Sequence, residues 1–385
     1  MKFFQVKSVE DTFSLIEEMI VPLTETIVLP LSEALHRIIA EDIVVRENVP
    51  GFRRSTVDGY AVKAQDTFGS SENMPGFLKV AGEVKMGEAP ERDLQDGEAI
   101  YVPTGGMLPE NSDAVIMIEH CENLDGLLNL YRQVAPGENV ISIGEDLKEG
   151  EPLLTAGMKL RSQELGALAS QGITEVRVYR KPVIGYLSTG DEIVPIETVK
   201  LEIGQVRDMN GMTIGALASE WGCDFIYGGI VKDSREELER KTREMLEKTD
   251  CFILSGGSSV GTKDYSVDVI DALGKPGVFV HGISIKPGKP TILAAAGNKP
   301  IIGLPGHPAS ALIIFYLFGK AILQKLTGWK TTEKNLARAI LTKNLPSTPG
   351  RTDFVRARLF QENGEWYAEP IIGKSGLIST LVKSE

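Results

Sequence analysis

The stretch CFILSGGSSVGTKDYS (251–266) decides how this chain reads. CFIL is a short buried strand, and it runs straight into a loop of small residues. Gly256, Gly257 and Gly261 let the backbone reach positive φ and let a ligand approach the chain closely. A strand that runs through such a loop, past Ser258, into a helix turns backbone N–H groups toward an anion. Lys263 and Asp264 close the loop. A plain anion cradle has no use for a carboxylate, so Asp264 points to an anion that arrives with a metal cation.

Outward from this loop the texture is βαβ from residue 181 to about residue 329. PVIGYLST, CDFIYGGIV, CFILS, VFVHGISI, TILAAAG and PIIGL read as strands. NGMTIGALASEWG, SREELERKTREMLEK and DYSVDVIDAL read as helices, the second opening with a capping box of Ser234 and Glu237. A last helix begins at Pro308, a favoured first-turn residue. This alternation predicts a mostly parallel sheet with helices on both faces, and ligands beyond the carboxyl ends of its strands.

The flanks differ. Ser8 and Asp11 form a capping-box-like start to a first helix, and LSEALHRIIAEDI (31–43) reads as a second. Residues 49–140 hold short β-rich runs separated by Gly, Pro, Asn and Asp, the pattern of a small all-β module. SQELGALASQGI (162–173) is helical again, so the module interrupts a discontinuous N-terminal region, 1–48 and 141–180. Residues 181–329 form the α/β domain and 330–385 a small C-terminal β domain. The fold class is multidomain α/β.

With 385 residues there is room for several cores. Lys+Arg 41 against Asp+Glu 53 gives a net charge of −12, which argues against a general nucleic-acid binder. Cys121, Cys223 and Cys251 are odd in number and without a C-x-x-C pair, so neither a disulfide framework nor a zinc ribbon is expected. The N-terminus lacks the apolar core of a signal peptide, and the longest apolar run, ALIIFYLFG (311–319), is about half a membrane span. A soluble, cytoplasmic protein is expected.

Four successive strand ends carry carboxylates: Asp191 and Glu192, Asp208, Asp233, and Asp264. Asp208 and Asp233 equally suit helix N-termini. Taken together, several carboxylates at one sheet edge suit magnesium, which takes one or two carboxylates plus ligand phosphates. IKPGKP places Lys286 and Lys289 around a rigid Pro287–Gly288 turn, a candidate oxyanion site. GLPGHPAS, with Pro305, His307 and Ser310, ends on a helix N-terminus that also suits an anion. In the β module, Asp58–Gly59 and Thr104–Gly105–Gly106 read by default as hairpin turns.

As a set, RRSTVDGYAV, PTGGMLPENSDAVIMIEH, GEDLKEG, STGDEIV, GQVRDMNG, SGGSSVGTKDY, IKPGKP, GLPGHPAS and GRTDFVRARL resemble the MoeA family. These are the molybdopterin molybdenumtransferases, which include the E domain of gephyrin. The motifs run in family order over nearly the whole chain, which makes the set far more specific than one glycine loop. The resemblance implies a MogA-like molybdopterin-binding α/β domain and a small β-barrel-like C-terminal domain. It implies a homodimer whose site is shared between subunits, and insertion of molybdate into adenylylated molybdopterin with Mg²⁺, releasing AMP. Glu192, Asp233 and Asp264 match acidic positions for magnesium and the bond cleaved, and Asp146 matches another functional acidic position. Lys286, Lys289, Ser310, Arg351 and Ser375 would hold molybdate and phosphate. Asp58 and Thr104 would complete a partner's site. The adenylyltransferase of the preceding step is a candidate protein partner, whereas no nucleic acid or membrane is expected. A tungsten-inserting paralogue and a non-catalytic scaffold of the gephyrin type are the alternative functions. Two positions depart from the family pattern: Gly282 where some relatives carry lysine, and His307 where Asn is common.

Overall fold

A computed structural model describes residues 6–232, 234–256, 265–330 and 337–384. The chain folds as two units, one of Met1–Glu41, Ala156–Ser162 and Glu175–Glu385, the other of Asp42–Thr155 and Gln163–Thr174.

In the first unit the βαβ alternation builds a six-stranded sheet. Its strands are β1 (Val183–Thr189), β2 (Asp224–Val231), β3 (Cys251–Ser255), β4 (Pro276–His281), β5 (Ile292–Ala296) and β6 (Lys299–Leu304), in the order β2-β1-β3-β6-β5-β4. The first four of that order run parallel, while β5 is antiparallel to both neighbours. Ala296 pairs with Lys299 across a Gly297–Asn298 turn, a two-residue hairpin whose glycine takes positive φ. The helices are α1 (Met209–Glu220), α2 (Arg235–Lys248), α3 (Ser266–Ala272) and α4 (Pro308–Thr327).

Both faces of the central strands β1, β3 and β6 are buried, which is why they are almost continuously apolar. Ile184, Tyr186, Ile253 and Ile302 face a core with Ile214, Phe315 and Phe318. Their strand neighbours Leu187, Phe252, Leu254 and Ile301 face a second core with Leu238, Met245 and Val269. The period of two along each strand sends alternate residues to opposite sides. α4 is long and apolar enough by composition to cross a membrane, yet Ile314, Phe315, Phe318, Ile322 and Leu326 on it are buried in the protein core. At the amino ends of β1 and β3, Asp250 accepts two hydrogen bonds from Arg180, at 2.6 and 2.7 Å, and one from the Val183 N–H at 2.8 Å.

Two local expectations fail. The segment 31–43 forms only a 3-10 turn at Leu31–Glu33, and His36 at φ 63° reverses the chain. Ile38 and Ile39 then bridge to Lys159 and Val178 as extended residues. Burial of these β-branched side chains against the strand Glu175–Tyr179 overrides modest helix propensity. Ser234 does cap α2, but its side chain makes no capping bond, so the capping box is not formed. Ser8, by contrast, accepts from the Asp11 N–H at 2.9 Å.

The C-terminal segment forms a three-stranded sheet of Ile340–Leu341, Glu365–Pro370 and Ala357–Glu362. A short parallel pairing of Thr352–Asp353 with Ile285–Lys286 joins it to the α/β domain.

The second unit is built on a six-stranded sheet running from Ala114–Met117 through Gly59–Val62, Glu98–Val102, Gly76–Glu83 and Leu127–Leu130 to Cys121–Leu124. Gly59 is the first residue of a central strand, paired with Val102 and Met117, and not part of a hairpin turn. Thr104 and Gly105 do form a turn: the Gly106 N–H donates to Pro103 O at 2.8 Å, with Gly105 at φ 80°.

Candidate functional site

Three turns meet where β1, β3 and β6 end. Gly256 donates its N–H to Leu304 O at 3.1 Å and has φ 101°. A Cβ on it would stand 2.1 Å from the Thr189 carbonyl oxygen, so the strand can leave the sheet here only as glycine. Asn210, buried at the start of α1, stitches the turns together. Its Nδ2 donates to Ser255 Oγ at 3.1 Å and to the Gly306 carbonyl at 2.9 Å. Asp208 is spent on structure: it caps α1 through the Gly211 N–H at 3.1 Å and accepts from the Tyr227 hydroxyl at 2.8 Å. Burial and that carboxylate push the Tyr227 phenol well up.

Glu192 is exposed and folds over Gly190, whose missing Cβ would lie 2.7 Å from Glu192 Oε2. The Gly190 N–H in turn donates to Val231 O at the end of β2. Among the expected magnesium ligands, Asp233 and Asp264 lie outside the described residues, as do Gly257, Ser258 and Gly261 of the glycine loop. Among the described residues no three His, Cys, Asp or Glu gather as a metal cluster.

The cations converge instead on a cleft of about 990 Å³ between the β6–α4 turn, the IKPGKP turn and the C-terminal segment. Lys286, Pro287, Lys289, Pro305, Ser310, Arg351 and Ser375 all line it. Seven sequence-selected residues, spread over ninety positions, thus share one wall-to-wall site. Arg356 and Lys374, not singled out from the sequence, line it too, as does Asp353. An Asp353 oxygen lies 3.3 Å from Arg351 Nε, an ion pair whose geometry falls short of a hydrogen bond; that oxygen is buried and unsatisfied.

Two details of this cleft refine the sequence reading. Gly288 is required by packing as well as by the turn: it takes φ 104°, and a Cβ there would meet Ile314 of α4 at 2.4 Å. The α4 N-terminus is not an open anion site. The Ala309 N–H donates to Ser375 O at 3.1 Å, and the Ser310 and Ala311 N–H groups donate to His307 O. These three amides of the first turn are therefore committed within the protein.

In the second unit the two default turns prove to be neighbours. The Thr104 N–H donates to Asp58 Oδ1 at 2.7 Å, and both residues are exposed. Asp146 is exposed, in a loop held by its own N–H to Val49 O at 3.0 Å. Burial pushes the Cys121 and Cys223 thiols up to about 12, and Cys251 is pushed up as well. None is poised as a thiolate nucleophile.

The fold and cleft define a multidomain α/β protein that gathers Lys and Arg side chains in one cleft at the carboxyl edge of its sheet. Comparison with known proteins identifies the family. Models for the MoeA N-terminal region (domains I and II), a probable molybdopterin binding domain and the MoeA C-terminal region (domain IV) match residues 7–172, 185–325 and 338–385. The chain is 38% identical over 365 residues to the molybdopterin molybdenumtransferase of Haemophilus influenzae, covering 94% of this chain and 88% of that one. It is 34% identical over 362 residues to the Bacillus subtilis protein of the same name, covering 93% and 84%. A crystal structure of the molybdopterin biosynthesis MoeA protein from Pyrococcus horikoshii is similar at TM-score 0.84 and 31% identity, over 99% of this chain and 94% of that one. The chain belongs to the MoeA family. It is an enzyme, a transferase of molybdenum cofactor biosynthesis.

Proposed function

We propose that this chain inserts molybdate into adenylylated molybdopterin, in a Mg²⁺-dependent reaction that releases AMP. The observation that carries this reading is the convergence of Lys286, Lys289, Arg351, Ser310 and Ser375 on one cleft. Molybdate is a tetrahedral dianion, and a partly enclosed cluster of Lys, Arg and hydroxyl donors is the chemistry that holds one. Cleaving the phosphoanhydride-type link of the adenylylated substrate builds negative charge on phosphate. The same cations, fixed before the reaction begins, stabilise that charge as it develops.

Glu192, with Asp233 and Asp264, is the carboxylate set proposed to hold magnesium at the neighbouring strand ends. Bound there, the ion would neutralise phosphate oxygens as a Lewis acid. Asp58 and Thr104 already share a hydrogen bond. In the proposed homodimer this pair completes the site of the other subunit, and Asp146 is proposed as a further functional carboxylate.

AMP release from adenylylated molybdopterin tests the proposal, with Mg²⁺ present and molybdate, tungstate or neither added. Release that requires one of these oxyanions establishes insertion and names the metal handled. No release from folded protein would overturn the catalytic reading in favour of a scaffold role.

A further inference from the structure

We infer that His307 is a positioning residue that fixes the direction of the Ser375 hydroxyl in the oxyanion cleft, a deepening that rests on the reading of that cleft as an oxyanion site. His307 stands at the N-cap position of α4, where a polar side chain ordinarily turns back to an unpaired amide of the first turn. It does not: its side chain makes no capping bond, and Nδ1 lies 3.1 Å from Ser375 Oγ. The amides it would have capped are already used, by its own carbonyl and by Ser375 O. The imidazole is thereby free to serve the cleft wall.

The contact is held on both sides. The Ala309 N–H to Ser375 O bond fixes the serine backbone beside the ring, and Gly376 packs edge-on, its absent Cβ 3.9 Å from His307 Cδ2. Ser375 comes from a C-terminal segment 68 positions away, so the pair also bridges two parts of the cleft. A serine hydroxyl has one proton and a freely rotating C–O bond. A partner on Oγ restricts that rotor. With Nδ1 protonated, the ring donates to Oγ and leaves the hydroxyl proton to point at the anion. Without a partner the hydroxyl samples several directions, and the entropy of fixing it is lost at each binding event.

An asparagine amide N–H has a reach similar to that of imidazole Nδ1 and can donate to the same oxygen. Asparagine is therefore the conservative replacement for this contact.

The test is titration of the full-length chain with sodium molybdate, followed by calorimetry, for wild type and four variants. Ser375→Ala is expected to weaken binding about tenfold, the weight of one hydrogen bond to an anion. His307→Ala, a truncation at an exposed site that adds no bulk, is expected to weaken it several-fold. His307→Asn should restore most of that loss. The double variant should bind no more weakly than Ser375→Ala alone, because His307 acts only through that hydroxyl. Wild-type affinity in His307→Ala, or losses that multiply in the double variant, would overturn the inference while leaving the oxyanion site standing. Absence of molybdate binding by the wild type would overturn the oxyanion site and the inference together. Thermal melts of each variant, expected to lie within about 2 °C of wild type for a surface change in a chain of this size, separate positioning from unfolding.

Discussion

Asn210→Ala offers the sharpest test of how the site is assembled. The side chain is buried, with 8% of its surface exposed, and its Nδ2 joins Ser255 Oγ at 3.1 Å to the Gly306 carbonyl at 2.9 Å. Removing it deletes two neutral hydrogen bonds worth about 1 kcal/mol each, and leaves a buried hydroxyl and a partly buried carbonyl to find other partners. Local stability of the three turns should fall by about 2 kcal/mol, which is roughly a thirtyfold rise in local opening. Hydrogen–deuterium exchange reads that directly in peptides covering 251–256 and 304–312. Peptides of the six-stranded sheet in the second unit serve as the internal control. Asn210→Asp should be worse despite equal size, because a carboxylate cannot donate and would face the Gly306 carbonyl as a buried charge. Molybdate affinity should drop in both variants, since Pro305, His307 and Ser310 ride on the loosened turn. Less than threefold change in exchange for either variant would refute the claim that Asn210 holds these turns together.

The two remaining predictions use the same domain. Burial alone would raise the Asp250 pKa, but the hydrogen bonds from Arg180 and Val183 outweigh it and set the carboxyl below its ordinary 3.8. Such a group stabilises the fold above its unfolded pKa and loses that contribution as pH falls through the lower folded value. Urea midpoints should therefore decline below about pH 4, and Asp250→Asn should flatten that decline while lowering stability at pH 7. Gly256→Ala should cost about 2 kcal/mol or more, from positive φ and the overlap with the Thr189 carbonyl. Gly306→Ala, in the adjoining turn, should cost less than about 0.5 kcal/mol, because its Cβ would meet nothing nearer than 3.8 Å; equal melting temperatures for the two would contradict the argument.

What could be read from sequence was what local physics dictates. The run CFIL had to be a strand buried on both faces, and Pro308 had to start a helix, because composition and φ restriction act within a few residues. The cationic motifs were legible for the same reason: a Pro–Gly turn after a strand places its lysines at a sheet edge wherever the rest of the chain goes. Residues 31–43 misled because helical spacing of Ala34 and Ile38 also fits a segment buried by bridging to a distant strand. Asn210 showed as polar at a helix start, but its two partners lie 45 and 96 positions away and leave no local mark. The bond between Thr104 and Asp58 was hidden likewise, since each motif read alone suggests a turn of its own.

The cleft also shows how a chain with net charge −12 can carry a local cluster of cations, the feature on which the proposed oxyanion site rests. Its described cations come from the IKPGKP turn, with Lys286 and Lys289, and from the C-terminal segment, with Arg351 and Arg356 in one stretch and Lys374 in another. The parallel pairing of Ile285–Lys286 with Thr352–Asp353 brings the first two of these together, so like charges approach through the very contact that builds the site. Asp353 answers part of that repulsion at Arg351, and among the described lining residues it is one carboxylate against five cations. A dianion bound there would offset the remaining repulsion by its attraction to each of the cations. Negative charge elsewhere on the surface weighs less than these neighbouring cations, because physiological salt screens exposed charges beyond about 8 Å. Local arrangement, fixed by backbone pairing, outweighs global sign.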